Sequence, residues 1–151
     1  MMKLDSENQG AAHWSRQQYE GLFPAAENTT PSESVAWVVE NESENARDVV
    51  SGEKCKLLAF LAAHRSDAEW ELENIVVAET VRRRGVGTLL LRELIAQARA
   101  ERGGSIFLEV RQSNRSARAL YEKAGFVEIG LRNSYYAVPP EDAILYRFSL
   151  S

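Results

Sequence analysis

The sequence lacks the features of a secreted, membrane-bound or nucleic-acid-binding protein. Cys55 is the single cysteine, which excludes an internal disulfide framework and favours a reducing compartment. No apolar run approaches the roughly 20 residues that cross a bilayer, and residues 1–12 lack the apolar centre of a signal peptide. The net charge of −4 offers no broad attraction to nucleic acid or to anionic membranes. We therefore expect a cytoplasmic protein that binds neither nucleic acid nor a membrane.

Several common motifs of catalysis and nucleotide binding are also absent. No Gly-x-x-x-x-Gly-Lys-Ser/Thr run exists, which excludes a Walker A nucleotide site. No Gly-x-Ser-x-Gly nucleophile motif occurs, and His13, His64 and Cys55 have no metal-ligand spacing. We expect no metal cofactor.

The composition is that of one globular domain. The chain has 151 residues, of which 44% are hydrophobic and 26% charged, and this is enough to bury a core. Residues 1–12 carry no hydrophobic periodicity and are predicted to be a tail, so the domain is expected to span residues 13–151. A capping box at Ser15 and Gln18 predicts a short helix over residues 14–23.

Hydrophobic periodicity places strands first and then alternates strands with helices. Apolar residues at i+4 steps predict two helices, which end at Gly103-Gly104 and at Gly125. The buried stripe predicted for the first helix is Val86, Leu90, Leu94 and Ala98, widened by Leu89 and Ile95. A strand–helix–strand unit has parallel strands, so we expect an α/β (α+β) fold with a mixed sheet flanked by helices. The predicted strands cover residues 35–40, 56–64, 69–77, 105–110, 126–136 and 143–150, and the predicted helices begin at 86 and 114. In the third strand, alternation places Trp70 and Leu72 on one face, and Asn74 with them if the alternation continues.

The chain is organised around a turn at residues 82–87, Arg-Arg-Arg-Gly-Val-Gly, between an apolar strand and an amphipathic helix. A helix N-terminus carries about +0.5 of a charge, so three adjacent arginines there call for an anion. Backbone N–H groups at such a terminus bind phosphate, and guanidinium groups pair with it. The turn therefore predicts a polyanion site, with a solvated basic turn as the alternative. Leu90 replaces the third glycine of a dinucleotide fingerprint, which excludes that motif.

Four motifs in order resemble the GCN5-related N-acetyltransferase (GNAT) superfamily. The turn matches its Arg/Gln-x-x-Gly-x-Gly/Ala pyrophosphate loop at the first arginine and both glycines. Residues 113–126 resemble its S-N-x-x-A-x-x-L-Y-x-x-x-G-F segment, and residues 108–111 resemble its L-E-V-R strand. Residues 132–136 (Arg-Asn-Ser-Tyr-Tyr), followed by Glu-Asp-Ala at 141–143, resemble the RimI branch, the ribosomal-protein-alanine N-acetyltransferases.

The resemblance implies a GNAT fold, with a mostly antiparallel sheet, one splayed parallel pair and a first strand that is shortened or missing. It implies acetyl-CoA as the co-substrate and the N-terminus of a protein, a ribosomal protein, as the acceptor. The strand at residues 75–77 would pair with the pantetheine arm, and Tyr135 and Tyr136 would line the acceptor site. The residues that the resemblance assigns to cofactor binding are Ile75, Val76, Val77, Arg82, Arg83, Arg84, Gly85, Val86, Gly87, Thr88 and Asn114.

Two residues are candidates for the acid–base chemistry of such a transfer. On its strand, Ile106, Leu108 and Val110 are predicted to share one face and Glu109 to lie on the other. A carboxylate inside an apolar strand is costly unless it is partnered or functional, so Glu109 is the candidate general base. Tyr121 lies two helical turns after Asn114, on the same face, and is the candidate general acid. An α-amino group has a pKa of ~7.7–8.0, against ~10.4 for lysine, so the base has modest work and can act through a water.

Each of these residues also has a structural interpretation. Glu109 can be a solvent-facing residue or pair with an arginine, Tyr121 can be a core tyrosine, and Asn114 can be a helix cap. Tyr135 and Tyr136 can be ordinary strand aromatics. The alternative functions are an acetyltransferase for a small-molecule amine or a lysine side chain, and an inactive acyl-CoA-binding regulatory module.

Overall fold

Six strands in the described part of the chain form one open, mixed sheet. The structure is a computed structural model and describes residues 34–42 and 55–151. The elements are β1 (Ser34–Glu42), β2 (Cys55–Ser66), β3 (Glu69–Val77), a 3₁₀ turn (Glu79–Val81), α1 (Val86–Ala100), β4 (Ser105–Arg111), α2 (Arg115–Ala124), β5 (Val127–Ala137) and β6 (Pro140–Ser149).

The strand order is β1-β2-β3-β4-β6-β5, and all neighbours are antiparallel except β3 and β4. These two are parallel and joined through α1, which confirms the predicted strand–helix–strand unit and the mixed sheet. The predicted tail, the predicted helix at 14–23 and the question of a missing first strand lie outside the described residues. The domain boundary at residue 13 therefore stays a prediction.

Helix α1 packs one face against the sheet because its apolar residues recur at helical spacing. Leu90, Leu94 and Ala98 are buried as predicted, and Ile95 widens the stripe. The prediction for Leu89 was wrong, because that side chain is 51% exposed and its neighbour Leu91 is buried instead. No helix in residues 34–42 and 55–151 is long and apolar enough to cross a membrane.

The end of α1 differs from the prediction that Gly103-Gly104 terminate it. Arg102 takes the left-handed conformation (φ 57°), and the N–H groups of Arg102 and Gly103 bond to the carbonyls of Arg99 and Ala98. Gly103 is needed for space rather than for its φ. A Cβ there would lie 2.9 Å from the Ala98 carbonyl oxygen and 3.1 Å from the Trp70 ring.

A β-bulge in β3 changes which side chains share a face. Ala63 pairs with Leu72 but Ala62 pairs with Asn74, so Glu73 is an extra residue. The bulge turns Asn74 away from the face of Trp70 and Leu72, where simple alternation had placed it. It also turns Ile75 toward the α1 side of the sheet, where it packs against the core.

Candidate active site

The parallel strands β3 and β4 separate after four residue pairs. Glu69 to Leu72 pair with Ser105 to Leu108, and neither strand continues the ladder beyond that point. The separation opens a gap through the sheet with a volume of about 60 Å³, here called the cleft. It brings together five predicted site residues from distant parts of the chain: Ile75, Glu109, Asn114, Tyr121 and Tyr136.

The end of β3 directs backbone polar groups into the cleft. The Ala78 N–H donates to the Leu58 carbonyl at 2.8 Å, which makes these two residues a hydrogen-bonded pair. Hydrogen-bonded pairs alternate with non-hydrogen-bonded pairs along an antiparallel ladder, so Val76 also bonds to β2. The residues on either side of it, Ile75 and Val77, direct their N–H and C=O groups the other way, toward β4. Val76 therefore offers its backbone to the sheet and not to the cleft.

The predicted polyanion turn follows as the start of α1. Gly85 is the N-cap in the left-handed conformation (φ 84°), and within the described structure no side chain caps the helix and no acidic residue lies in its first turn. The N–H groups of Val86, Gly87 and Thr88 precede the first intrahelical bond, from Leu89 N–H to the Gly85 carbonyl at 2.9 Å. This end of the helix has the free N–H groups and the dipole that favour an anion.

The three arginines of the turn do not share one role. Arg82 donates from Nε to the Val77 carbonyl at 3.0 Å and lies 3.4 Å from a Glu79 carboxylate oxygen. Its guanidinium therefore ties the turn to the end of β3. Arg83 adopts a left-handed φ of 62°, and both Arg83 and Arg84 are exposed.

The two glycines of the turn are needed for different reasons. A Cβ at Gly85 would point into open space, with nothing within 4 Å beyond its chain neighbours, so its requirement is the positive φ. Gly87 has an ordinary φ, but a Cβ there would lie 3.0 Å from Cδ2 of Leu120. Gly87 thus permits the close approach of α1 to α2, the helix that carries Tyr121.

Glu109 lies at the boundary of two cavities. The strand alternates as predicted, with Ile106, Leu108 and Val110 buried and Glu109 on the other face. On that face lies a cavity of about 260 Å³, here called the sheet-face cavity. Among the described residues that line these two cavities, Glu109 alone belongs to both.

The carboxylate of Glu109 has partners, as its structural interpretation anticipated. The Arg132 guanidinium forms an ion pair with it, and the Tyr135 hydroxyl hydrogen-bonds to it. The bond to Glu109 is the main reason why the pKa of Tyr135 is raised, and burial adds to it. The ion pair and a role in catalysis are compatible, because the side chain of Glu109 is still 19% exposed.

Tyr121 reaches the cleft from the helix side of the sheet. It is 5% exposed, and its ring packs against Phe126 and Tyr146 at centroid distances of 5.9 and 6.2 Å. Burial is the main cause that raises the pKa of Tyr121 well above the ordinary tyrosine value, and the nearby Tyr136 adds a smaller contribution. The hydroxyl therefore stays protonated at neutral pH.

Asn114 serves as the N-cap of α2. Its Oδ1 accepts hydrogen bonds from the Ala117 N–H and the Ser116 hydroxyl, both at 3.1 Å. The structural interpretation of this residue is therefore correct. Its place on the wall of the cleft leaves a contact with the co-substrate as a prediction.

Tyr135 and Tyr136 both face the site because β5 is irregular. Arg132 pairs with Ala143 and Tyr136 with Glu141, so three residues of β5 stand opposite one residue of β6. Their rings meet edge to face at 5.1 Å, an arrangement that a regular strand does not give to adjacent residues. Burial raises the pKa of Tyr136 to about 12.

Arg111 is a site residue that the sequence interpretation passed over. Its guanidinium lies 4.0 Å from the centre of the Tyr136 ring and bonds to the Val138 and Pro139 carbonyls. It also forms an ion pair with Glu141 at 3.2 Å. Hydrogen bonds from Ser113 and then from Arg111 lower the pKa of Glu141. The sequence did contain a signal for Arg111, because this residue ends the L-E-V-R motif, two residues after Glu109.

The comparison with known families assigns the class of protein. The model of the acetyltransferase (GNAT) family matches residues 8–126. The chain belongs to this family, whose members take their acetyl group from acetyl-CoA, and it is an acetyltransferase by that membership.

Within the family, the chain is similar to RimI proteins. It is 33% identical over 142 residues, 93% of this chain and 90% of the relative, to the [ribosomal protein bS18]-alanine N-acetyltransferase of Salmonella typhimurium. It is 46% identical over 79 residues to N-alpha-acetyltransferase RimI of Mycobacterium tuberculosis, and this match spans 52% of the chain but only 48% of that relative. The crystal structure of the ribosomal-protein-S18-alanine N-acetyltransferase of Escherichia coli superposes with a TM-score of 0.74 at 27% identity and covers 99% of this chain and 85% of that one.

Proposed function

We propose that the chain is an acetyl-CoA-dependent N-alpha-acetyltransferase that acts on the N-terminal amine of a protein, in the manner of RimI enzymes. The observation that carries the proposal is the position of Glu109, which lines both the cleft and the sheet-face cavity. One carboxylate thus borders the space for an acyl donor and the space for an amine.

Residues of β3 and α1 would hold the donor. The N–H groups at the start of α1 fit its pyrophosphate, and Arg83 and Arg84 are exposed beside them. Ile75 lines the cleft, and its backbone groups, together with the Val77 N–H, are directed toward β4 and fit an extended amide-bearing arm. The Val77 carbonyl is already bonded to Arg82. An N–H near Val77 would stabilise negative charge on the thioester oxygen.

Glu109 and Tyr121 would divide the two proton transfers. The amine nitrogen forms a bond to the acetyl carbonyl carbon while the bond from that carbon to sulfur breaks. An ammonium acceptor first gives one proton to Glu109, directly or through a water, because only the neutral amine has the lone pair that attacks. A second proton leaves the nitrogen as the new bond forms, and one passes from the Tyr121 hydroxyl to the departing sulfur, so one proton is released overall. Because burial raises the pKa of Tyr121, its proton transfers only as the sulfur acquires charge.

The acceptor proposed is a protein N-terminus, as the names of the relatives suggest, and specifically the N-terminal alanine of a small-subunit ribosomal protein. Tyr135 and Tyr136 lie beside Glu109 and offer an aromatic wall for the first residue of a peptide. Glu69 and Glu71, which line the sheet-face cavity with Glu109, favour a cationic amine over an anionic acceptor.

A peptide panel tests the proposal. Peptides that begin with Ala, Ser, Met or Lys are incubated with the enzyme and acetyl-CoA, and the acetylated position is read by mass spectrometry. Label at the N-terminus, strongest with Ala, is expected, and an N-terminally blocked copy of each peptide is the control. Label confined to internal lysines would support the lysine alternative, and no transfer to any amine would favour the inactive binding module.

A further inference from the structure

The carboxylate of Glu109 is already paired with a cation of the chain itself. Arg132, on β5, forms an ion pair with it, and both residues line the sheet-face cavity. An acceptor amine that uses Glu109 as its base must approach the same carboxylate. In the structure, that place is taken by the Arg132 guanidinium.

The two members of this ion pair are held to different degrees. Glu109 lies in a central strand, and its side chain is 19% exposed, with a further hydrogen bond from Tyr135. Arg132 lies on the edge strand next to the irregular part of β5, and its side chain is 53% exposed. An ion pair with one partner half in water changes an equilibrium by at most about fivefold. The Arg132 guanidinium also lies 5.5 Å from the centre of the Tyr135 ring, a contact that it can keep while it moves off the carboxylate. Arg132 can therefore leave Glu109 at a small cost, whereas Glu109 stays in place.

We propose that Arg132 is a place-holding cation, which pairs with Glu109 while the acceptor site is empty and gives way to the acceptor's ammonium group. The proposal rests on the function proposed above. An α-amino group with a pKa of ~7.7–8.0 is mostly protonated at pH 7, so one positive charge replaces another. Arg132 acts through Glu109 and is a positioning residue that competes with the acceptor.

Steady-state kinetics of two Arg132 variants test this competition. Arg132→Gln removes the competing charge and should lower the KM for an Ala-initiated peptide about two- to fivefold, the range of a half-exposed ion pair. The KM for acetyl-CoA should not change. Arg132→Lys keeps a cation and should return the peptide KM to within about twofold of the wild type.

Arg147→Gln is the matched control. Arg147 is exposed and stands directly opposite Phe107 of β4. Phe107 and Glu109 are two residues apart on β4 and share a face, so Arg147 lies on the same face of the sheet as Glu109. The Arg147→Gln variant removes one positive charge, as Arg132→Gln does, but it leaves the ion pair of Glu109 intact. Its KM for the peptide should therefore equal that of the wild type. A Kd for the peptide with CoA in place of acetyl-CoA, from calorimetry, should change in the same ratio as KM.

The outcomes separate this inference from the proposed function. An unchanged or higher peptide KM in Arg132→Gln, or an equal fall in Arg132→Lys or Arg147→Gln, overturns the place-holding role and leaves N-terminal acetylation standing. If the wild type acetylates none of the peptides, the proposed function fails, and the place-holding role fails with it.

Discussion

The two glycines of the turn before α1 should respond differently to the same substitutions. Gly85→Ala places a Cβ in open space but forces alanine into a φ of 84°, which costs about 1–2 kcal/mol. For a chain of this length, each kcal/mol lowers the Tm by about 2–4 °C. Asparagine tolerates the left-handed conformation better, so Gly85→Asn should recover part of that loss.

Gly87→Ala should act through α2 instead of through φ. Its new Cβ would lie 3.0 Å from Cδ2 of Leu120, so the leucine must shift. Overpacking of this kind costs about 1–3 kcal/mol, while the exchange of glycine for alanine inside a helix returns about 1 kcal/mol. The net loss should be about 0–2 kcal/mol. Asparagine, which is larger and a poorer helix former, should be worse than alanine here, the reverse of the order at Gly85.

Thermal and denaturant unfolding of single and double variants would measure these effects. Leu120→Ala removes the atom that the Gly87→Ala methyl meets, so those two changes should be less than additive. Gly85→Ala combined with Leu120→Ala is the matched control and should be additive. If Gly85→Asn is as unstable as Gly85→Ala, or if both double variants are equally additive, the assignment of φ to one glycine and close packing to the other is wrong.

Three further substitutions address the site itself. Glu109→Gln should lower kcat by about 10²–10⁴-fold with the Kd for acetyl-CoA unchanged in calorimetry, and full retained activity would refute its role as base. Burial raises the pKa of Tyr121, so the stability it contributes is fully present below pH ~10 and is lost as pH rises toward the higher folded value. Tyr121→Phe should therefore flatten the alkaline loss of Tm, besides lowering kcat, and an unchanged alkaline slope would contradict the buried hydroxyl. Arg111→Met should raise the peptide KM about two- to fivefold, since a cation–π contact contributes about 0.5–1 kcal/mol, and an unchanged KM would show that Tyr136 needs no such support.

Local patterns predicted the elements well, because helices and strands follow from periodicity along the chain. Every strand and helix predicted inside residues 34–42 and 55–151 occurs there, with ends displaced by a few positions. Three local details were wrong: the exposure of Leu89, the residue that ends α1, and the face of Asn74. The face of Asn74 depends on a bulge in the pairing of β3 with β2, which the sequence of β3 alone does not reveal.

The contacts that shape the site depend on such pairings throughout. Arg111 meets Glu141 thirty residues along the chain, and this contact brings the start of β6 against the end of β4. The ion pair of Arg132 with Glu109 likewise joins an edge strand to a central one. Sequence motifs could suggest Glu109 as a base and name an arginine partner as its alternative, but they could not show which arginine pairs with it or that the carboxylate stays partly exposed in that pair.

The irregular segment of β5 explains why the proposed base Glu109, its arginine partner and two tyrosines meet in one place. In a regular strand Tyr135 and Tyr136 would face opposite sides of the sheet, and only one could approach β4. The extra residues opposite Asp142 are held by a hydrogen bond from the Ser134 N–H to its carboxylate at 2.7 Å, with Ser134 at a left-handed φ of 51°. This turn directs Tyr135 to Glu109 and Tyr136 to the cleft. Because residues 132–136 form this bend, the motif there matters for the backbone geometry that places both tyrosines, and not only for the identity of two aromatic residues.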